Sequence, residues 1–191
     1  SLLNSHALTI TGGSSGGSPD SLVAVDTLTG DLRIAGSVEM GPGAVQIHVG
    51  MGSGGSSLVV DAGQRVAGAN INLVADQFDV QGSIDTPGLL VLTTQPFSNR
   101  EMSLGLEDPT RASLSSAELG RIHVGDGIQF YSKNLVVAGA VSLADPRFAQ
   151  LISPGSIRVE APLSMARADS GLFLQGAKGD IQAAVSAGTG G

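Results

Sequence analysis

The chain has 191 residues with a net charge of −7, and 41% of them are hydrophobic, 28 are glycine and only 3% are aromatic. The apolar content excludes a disordered chain, and Val, Leu, Ile and Ala must fill any core, which is typical of a narrow, regularly stacked interior. Ten scattered Lys and Arg residues disfavour nucleic acid and anionic membrane surfaces as partners. The lack of cysteine excludes disulfides and thiolate sites.

Short alternating segments recur along the chain as copies of one unit. One kind is a small residue followed by an apolar pair, and the other is an apolar pair, a glycine two places on and another apolar residue. Such strands are too short to be stable alone, and the turns between them leave no room for crossover helices. The unit must therefore bury its apolar side on copies of itself. Segments of the first kind are 43–47, 69–73, 88–92 and 155–159, and those of the second kind are 32–38, 78–84 and 135–141.

The spacing of the two kinds also recurs. Counted from Val25, Ile71 and Ile128, the second kind begins seven residues later each time. We predict that these three residues lie in one column on the inside of the coil, because period-2 alternation places them on one face. The sequence predicts an all-β fold, a right-handed parallel β-helix.

In chain order, residues 8–10 form the opening strand, and the Gly/Ser-rich stretch from Thr11 to Asp20 is a loop. We expect residues 1–191 to form a single β-helix domain with a small tail at 187–191. Neither end has the pattern of a cap, and the chain opens without Met. We therefore expect further coils of a longer repeat protein, or copies stacked end to end. The predicted coils are 23–38, 45–66, 71–84, 128–141, 157–165 and 172–185.

Residues 93–126 interrupt this rhythm. The pair 108–109 is Asp-Pro, which is typical of a helix N-cap with proline in the first turn. Ser115 and Glu118 have the spacing of a capping box, and the segment 145–148 opens with Asp-Pro as well. We predict an outward insert that carries one or two short helical turns. The residues predicted to pack it on the outside of the coil are Leu114 and Leu119.

Two runs of the insert carry a family resemblance. Leu104-Gly105-Leu106, followed by Leu-Ser-Ser-Ala-Glu-Leu-Gly-Arg-Ile at 114–122, resembles an element of very large bacterial exoproteins of the filamentous haemagglutinin type. Ser116 stands where that family usually has Asp. The resemblance implies a right-handed parallel β-helix, a two-partner type of export across the outer membrane, and an adhesive or fibre-forming role at the cell surface. The family shares no catalytic residues, so none are transferred to this chain.

Three carboxylates make the best case for an enzyme. Asp76, Asp79 and Asp85 lie close in sequence, and sugar-acting β-helix enzymes place paired carboxylates or a calcium ion on an outer face. No Lys or Arg lies near them in sequence to act as a lyase base. We interpret them as turn residues and a solvated face.

Other sequence signals are equally weak as sites. The tetrapeptide Ile-His-Val-Gly occurs at 47–50 and 122–125, and a metal or pH role would require His48 and His123 to lie close together. We expect both to face outward from well-separated coils. The glycine-rich run 12–17 lacks the Lys-Ser/Thr ending of a phosphate loop. Tyr131 is expected to be exposed, where it is able to contact a glycan.

These observations favour a structural or adhesive segment of a secreted or cell-surface exoprotein, located outside a bacterial cell. We predict no enzymatic activity, and no catalytic, cofactor-binding or metal-binding residues. The expected partners are further coils of the same polypeptide or stacked copies, and surface glycans or receptors on host or neighbouring cells. Two alternatives remain. One is a polysaccharide lyase or hydrolase on the same fold. The other is a binding module for a glycan or a host protein, which an exposed apolar or aromatic patch on one face would indicate.

Overall fold

The computed structural model describes residues 6–52, 55–94 and 100–188 in full, and the backbone of residues 2–4. In this part of the chain the secondary structure consists of strands, most of them short, and one four-residue helix. Every paired strand runs parallel to its neighbours. The chain therefore forms a parallel β-helix, as predicted from its repeats. No helix among the described residues has the length and apolar character needed to cross a membrane.

Within the described residues, the β-helix has eight coils, and each coil contributes to three walls that we number 1 to 3 in chain order. Coil 1 contains β1 (Leu2–Asn4), β2 (Leu8–Ile10) and β3 (Gly13–Ser14), and coil 2 contains β4 (Leu22–Thr27), β5 (Leu32–Ile34) and β6 (Val38–Glu39). Coil 3 contains β7 (Ala44–His48), β8 (Ser57–Val60) and β9 (Arg65–Ala67), and coil 4 contains β10 (Asn70–Val74), β11 (Gln77–Val80) and β12 (Ser83–Thr86). Coil 5 contains β13 (Leu89–Thr93), β14 (Glu101–Gly105), β15 (Ala112–Ser115), α1 (Ser116–Leu119) and β16 (Ile122–Val124). Coil 6 contains β17 (Gly127–Tyr131), β18 (Asn134–Val137) and β19 (Val141–Leu143). Coil 7 contains β20 (Phe148–Val159) and β21 (Leu163–Met165), and coil 8 contains β22 (Gly171–Ile181) and β23 (Val185–Ser186).

Wall 1 shows how the core is built. Its strands align without a register shift, so the inward residue of one rung lies directly on that of the next. Each fully buried aliphatic side chain removed from water contributes about 1.5–3 kcal/mol, which offsets the conformational entropy lost by the short strands. One inner column consists of Val25, Ile47, Leu73, Leu92, Phe130 and Leu151, all buried.

The predicted column through Val25, Ile71 and Ile128 is wrong at its first member. Ile71 and Ile128 do share a column, since both align with Leu90. Val25 instead aligns with Ile47, in the neighbouring inward column, and the residue that matches Ile71 in coil 2 is Val23. The reason is the first corner of coil 2, which is two residues longer than the equivalent corners of coils 4 and 6. A two-residue shift keeps the side chain on the inner face.

The prediction that segment 155–159 belongs to the first kind of repeat is also wrong. β20 runs through the first corner without a break, so residues 148–152 pair with β17 in wall 1. Residues 157–159 pair with β18 and therefore belong to wall 2. β22 follows the same path beside β20. The sequence pattern alone does not separate the two walls here, because their inward residues alternate in the same way.

Wall 2 contains one strand more than the other walls. Coil 5 supplies both β14 and β15, and these two strands pair in parallel with each other. β14 also pairs with β18, while β15 lies beside β11. The nine strands of wall 2, in spatial order, are β2, β5, β8, β11, β15, β14, β18, and the second halves of β20 and β22.

The predicted insert therefore contributes directly to a wall. Leu114 is fully buried and Leu119 is 5% exposed, and both belong to the common core instead of packing on its outside. The capping box is confirmed, because the Ser115 hydroxyl accepts from the Glu118 amide and the Glu118 carboxylate accepts from the Ser115 amide. Asp108 starts a turn, in which its carboxylate accepts from the Thr110 amide at 2.9 Å, so the helix predicted there is wrong.

Wall 3 is interrupted at the level of the extra strand. Its first five strands form one sheet from β3 to β16, and β19, β21 and β23 form another. β16 and β19 are not joined by a ladder, because the extra rung in wall 2 pushes the two halves apart. The expected loop at 11–20 contains β3, which pairs with β6 as the first rung of this wall. The segment 145–148 leads directly into β20 without the expected helical turn.

Candidate functional site: the groove along wall 3

The outer surface of wall 3 carries a row of charged side chains on successive rungs. Glu39 and Asp85 both align with Ala67, and Asp85 aligns in turn with His123. Since the strands are parallel and in register, the same outward position recurs on each rung, about 4.8 Å from the last. Residues far apart in sequence therefore form one line along the axis.

Arg65 connects three of these rungs. It projects from β9, and its Nε lies 2.9 Å from Asp85 Oδ2 while its Nη1 lies 3.4 Å from Glu39 Oε1. The hydrogen bond to Asp85 raises the pKa of Arg65. An arginine with 48% of its side chain exposed gains little net stability from such pairs, so its main effect is to neutralise two carboxylates in the row.

A contact between the side chains of His123 and Asp145 crosses the break in wall 3. The Nδ1 atom of His123 on β16 lies 3.2 Å from Asp145 Oδ2, which follows β19. Further along, Arg167 donates to the backbone carbonyl of Asp145 and to the carboxylate of Asp169. The hydrogen bond from Arg167 lowers the pKa of Asp169 and raises that of Arg167.

Between these side chains runs an open groove of about 730 Å³. Small residues occupy positions in its lining between the charged side chains, and we call these small residues its floor. The groove contains both acidic and basic side chains, which accept and donate hydrogen bonds. It is suited to a polar ligand that lies along the axis of the β-helix. The small residues of the floor are Gly41, Ala67, Gly68, Gly125 and Ala144.

A deeper cleft of about 180 Å³ opens from the groove between β16 and β19. Its lining is mainly apolar and also includes His123, Ser142 and Asp145. The cleft lies at the level of the extra strand of wall 2, where wall 3 has no matching rung. The apolar lining residues are Leu119, Ile122, Val124, Ile128 and Leu143.

The three aspartates singled out in the sequence do not form one site. Asp76 is fully buried at a corner, where it accepts from the Gly55 amide, so the interpretation as a solvated side chain is wrong for this residue. Asp79 is half-buried on wall 2, and its Oδ2 accepts a hydrogen bond from the side-chain Nε2 of Gln81 at 3.0 Å. Asp85 lies on wall 3 beside Arg65, a basic residue that sequence proximity did not indicate.

The two histidines face outward on different walls. His48 lies on wall 1, with Nδ1 2.9 Å from Asp26 Oδ1 and Nε2 3.1 Å from Gln46 Nε2. His123 lies on wall 3 with Asp145. Among the described residues, no three His, Asp or Glu side chains meet as metal ligands would.

Sequence reasoning missed most of the groove. Glu39, Arg65 and Arg167 carry no local motif, and the Asp-Pro pair at 145–146 predicted a helical turn instead of a site. Only the alignment of rungs brings these residues together. Correct prediction of how the strands of wall 3 align would have placed these residues on one surface. Comparisons with family models, curated proteins and solved structures found no match to this chain. The β-helix fold is consistent with a structural or adhesive protein, and the groove does not by itself select a reaction.

Proposed function

We propose that the chain is a structural segment of an adhesive, cell-surface β-helix, on which further coils stack. The observation that carries this proposal is the free edge of coil 8. The inward residues of β20 are covered by β22, and Leu151 and Val159 are 0% exposed. The next inward residues are not covered, since Leu174 is only partly buried and Ile181 is 57% exposed.

An additional coil would bury these side chains in the way that coil 8 buries those of coil 7. Its strands would also take up the free backbone donors and acceptors along β22 and β23, which pair on one side only. Stability in such a stack is a sum of coil and neighbour terms, so each added coil stabilises the one before it.

A tandem protein tests this proposal. Two copies joined head to tail should form one rod of about 75 Å, from about 4.8 Å per rung, and should unfold at a higher urea concentration than one copy. Ile181→Asp in the first copy should remove the gain, whereas Gln175→Asp, an outward position on the same strand, should retain it. Small-angle scattering that shows two independently moving bodies, with the urea midpoint of a single copy, would contradict the proposal.

The proposed location is the outside of a bacterial cell, in an exoprotein of the filamentous haemagglutinin type. The residues that support it are those of the resemblance, and in the fold they have a clear role. Leu104 lies in the core and Ser115 and Glu118 cap α1. Antibody against the chain should label intact cells of the source, and labelling only after lysis would contradict a surface location.

A polysaccharide-acting enzyme is the second candidate, because Asp85, His123 and Asp145 line one groove along wall 3. A carboxylate and an acid–base group on neighbouring rungs are the minimum for glycoside cleavage. Release of reducing ends from acidic polysaccharides that is lost in His123→Asn would favour this candidate. No release by the wild-type chain would remove it.

A further inference from the structure

The outer surface of wall 1 in coils 6 to 8 concentrates aromatic side chains. The chain has five phenylalanines and one tyrosine. Tyr131, Phe148 and Phe173 all project from this one surface, on three successive rungs. Tyr131 is 39% exposed and Phe173 is 55% exposed. We call this surface the aromatic face, and its nine positions are Gly127, Gln129, Tyr131, Phe148, Gln150, Ile152, Gly171, Phe173 and Gln175.

The glycines of the aromatic face let a ring lie against the sheet. Gly127 and Gly171 align with Phe148 on either side. A side chain at Gly127 would collide with the Phe148 ring, so the ring covers this glycine. The result is a flat aromatic surface instead of a protruding side chain.

Glutamine amides lie beside the rings. Gln129 aligns with Gln150, and its side-chain amide donates to the Gln150 carbonyl oxygen. This bond leaves the Gln129 carbonyl oxygen and one or more Gln150 amide hydrogens to bind a ligand. A flat apolar surface next to oriented amide groups matches a sugar ring, which has an apolar face and a hydroxyl rim.

The absence of charge on the aromatic face narrows the class of ligand further. None of its nine positions carries a charge, although the chain as a whole has a net charge of −7. The face itself therefore offers no counter-charge to a charged polymer, and the net charge of the protein disfavours an anionic one. The face extends about 10 Å along the axis and about 13 Å along the strands, so it suits an extended, flat ligand more than a small molecule in a pocket.

We propose that the aromatic face binds a neutral, flat, β-linked polysaccharide. Tyr131 and Phe173 stack on the sugar rings, Phe148 forms the floor, and Gln129 and Gln150 bind hydroxyl groups. This inference deepens the adhesive part of the proposed function and rests on it. The face belongs to a single chain, whereas the stacking proposal concerns the edge of coil 8, so each can fail without the other.

Pull-down on insoluble cellulose and chitin tests the proposal with the single chain. Binding to at least one of these polymers is expected, it should persist at high salt, and Tyr131→Ala with Phe173→Ala should weaken it at least tenfold. Tyr131→Phe should retain it, because the ring remains. Leu22→Ala, which changes a 54% exposed apolar residue of wall 1 in coil 2, is the matched control and should bind as wild type.

Far-UV circular dichroism and urea unfolding confirm that each variant is folded. Absence of binding to both polymers by the folded wild-type chain would overturn the proposal, and so would equal binding by the double variant. Binding only to an anionic polysaccharide such as alginate would overturn it as well. Self-association in sedimentation that Tyr131→Ala abolishes would assign the face to a second copy of the chain instead.

Discussion

The Glu118 carboxylate accepts a hydrogen bond from the Val80 amide at 2.9 Å, across the boundary between coils 4 and 5. Arg121 completes the link by donating to the Val80 carbonyl at 2.8 Å. β11 and β15 are neighbours without a ladder of their own, so these two side chains replace the missing backbone pairing. The same carboxylate closes the capping box of α1. The pattern Glu-Leu-Gly-Arg thus fixes the extra strand in wall 2.

Removing this link should destabilise the protein measurably. Glu118→Ala leaves the Val80 and Ser115 amides without their acceptor, and we expect a loss of about 2–3 kcal/mol in the free energy of unfolding. Urea denaturation followed by circular dichroism measures it. Glu107→Ala removes an exposed glutamate of the same segment and should change stability by less than about 0.5 kcal/mol. Equal effects of the two substitutions would contradict the role given to Glu118.

Gly105 is required by the return from β14 to β15. Its φ is +86°, and an added Cβ would collide with the backbone of Gly139 in the next coil. Gly105→Ala should therefore cost at least about 2 kcal/mol, from backbone strain and from displacement of Gly139. Gly179→Ala is the matched control, because nothing lies within 4 Å of the added carbon there. Similar urea midpoints for both variants would show that the return does not constrain this residue.

Substitution by alanine at two residues of one inner column should lower the free energy of unfolding by very different amounts. Phe130 is 0% exposed, with aligned neighbours Leu92 and Leu151 on both sides, and Phe130→Ala should cost about 3–5 kcal/mol. Leu174, the column's residue in coil 8, has a neighbour on one side only, so Leu174→Ala should cost about 1 kcal/mol or less. Differential scanning calorimetry of both variants measures the contrast. A cost at Leu174 that equals the cost at Phe130 would mean that coil 8 is already covered.

The turn at Asp108 makes a pH-dependent contribution to the stability of the folded chain. The hydroxyl and amide of Thr110 lower the pKa of Asp108 from its ordinary value of 3.8. Because this pKa is lower in the folded chain than in the unfolded one, the contribution to stability is present above about pH 4 and fades as the pH falls through the folded value. Thr110→Val removes the hydroxyl bond, so the pKa of Asp108 should rise toward 3.8. A titration by nuclear magnetic resonance that gives the same pKa in both proteins would contradict this turn geometry.

The repeats predicted the fold because alternation with period 2 survives in nearly every coil. Register was harder to predict, since corner lengths vary and a shift of two residues, as at Val25, leaves the inward pattern unchanged. The extra strand was not predictable from alternation, because Leu114 has the same local pattern outside or inside the wall. Arg65 and Asp85 lie on different rungs, and so do Phe148 and Phe173, so these residues come together only when the coils stack. A local sequence pattern therefore does not predict these contacts between rungs.

The extra rung of wall 2 makes this wall one strand longer than wall 1 in the described residues, and paired spin labels measure this difference directly. The chain has no cysteine, so labels attach only where cysteines are introduced. From coil 3 to coil 7 there are four rung steps in wall 1, between Gln46 and Gln150, and five in wall 2, between Val59 and Arg158. Electron paramagnetic resonance should give about 19 Å for the first pair and about 24 Å for the second, from about 4.8 Å per rung. Equal distances, or a shorter distance in wall 2, would contradict the inserted strand.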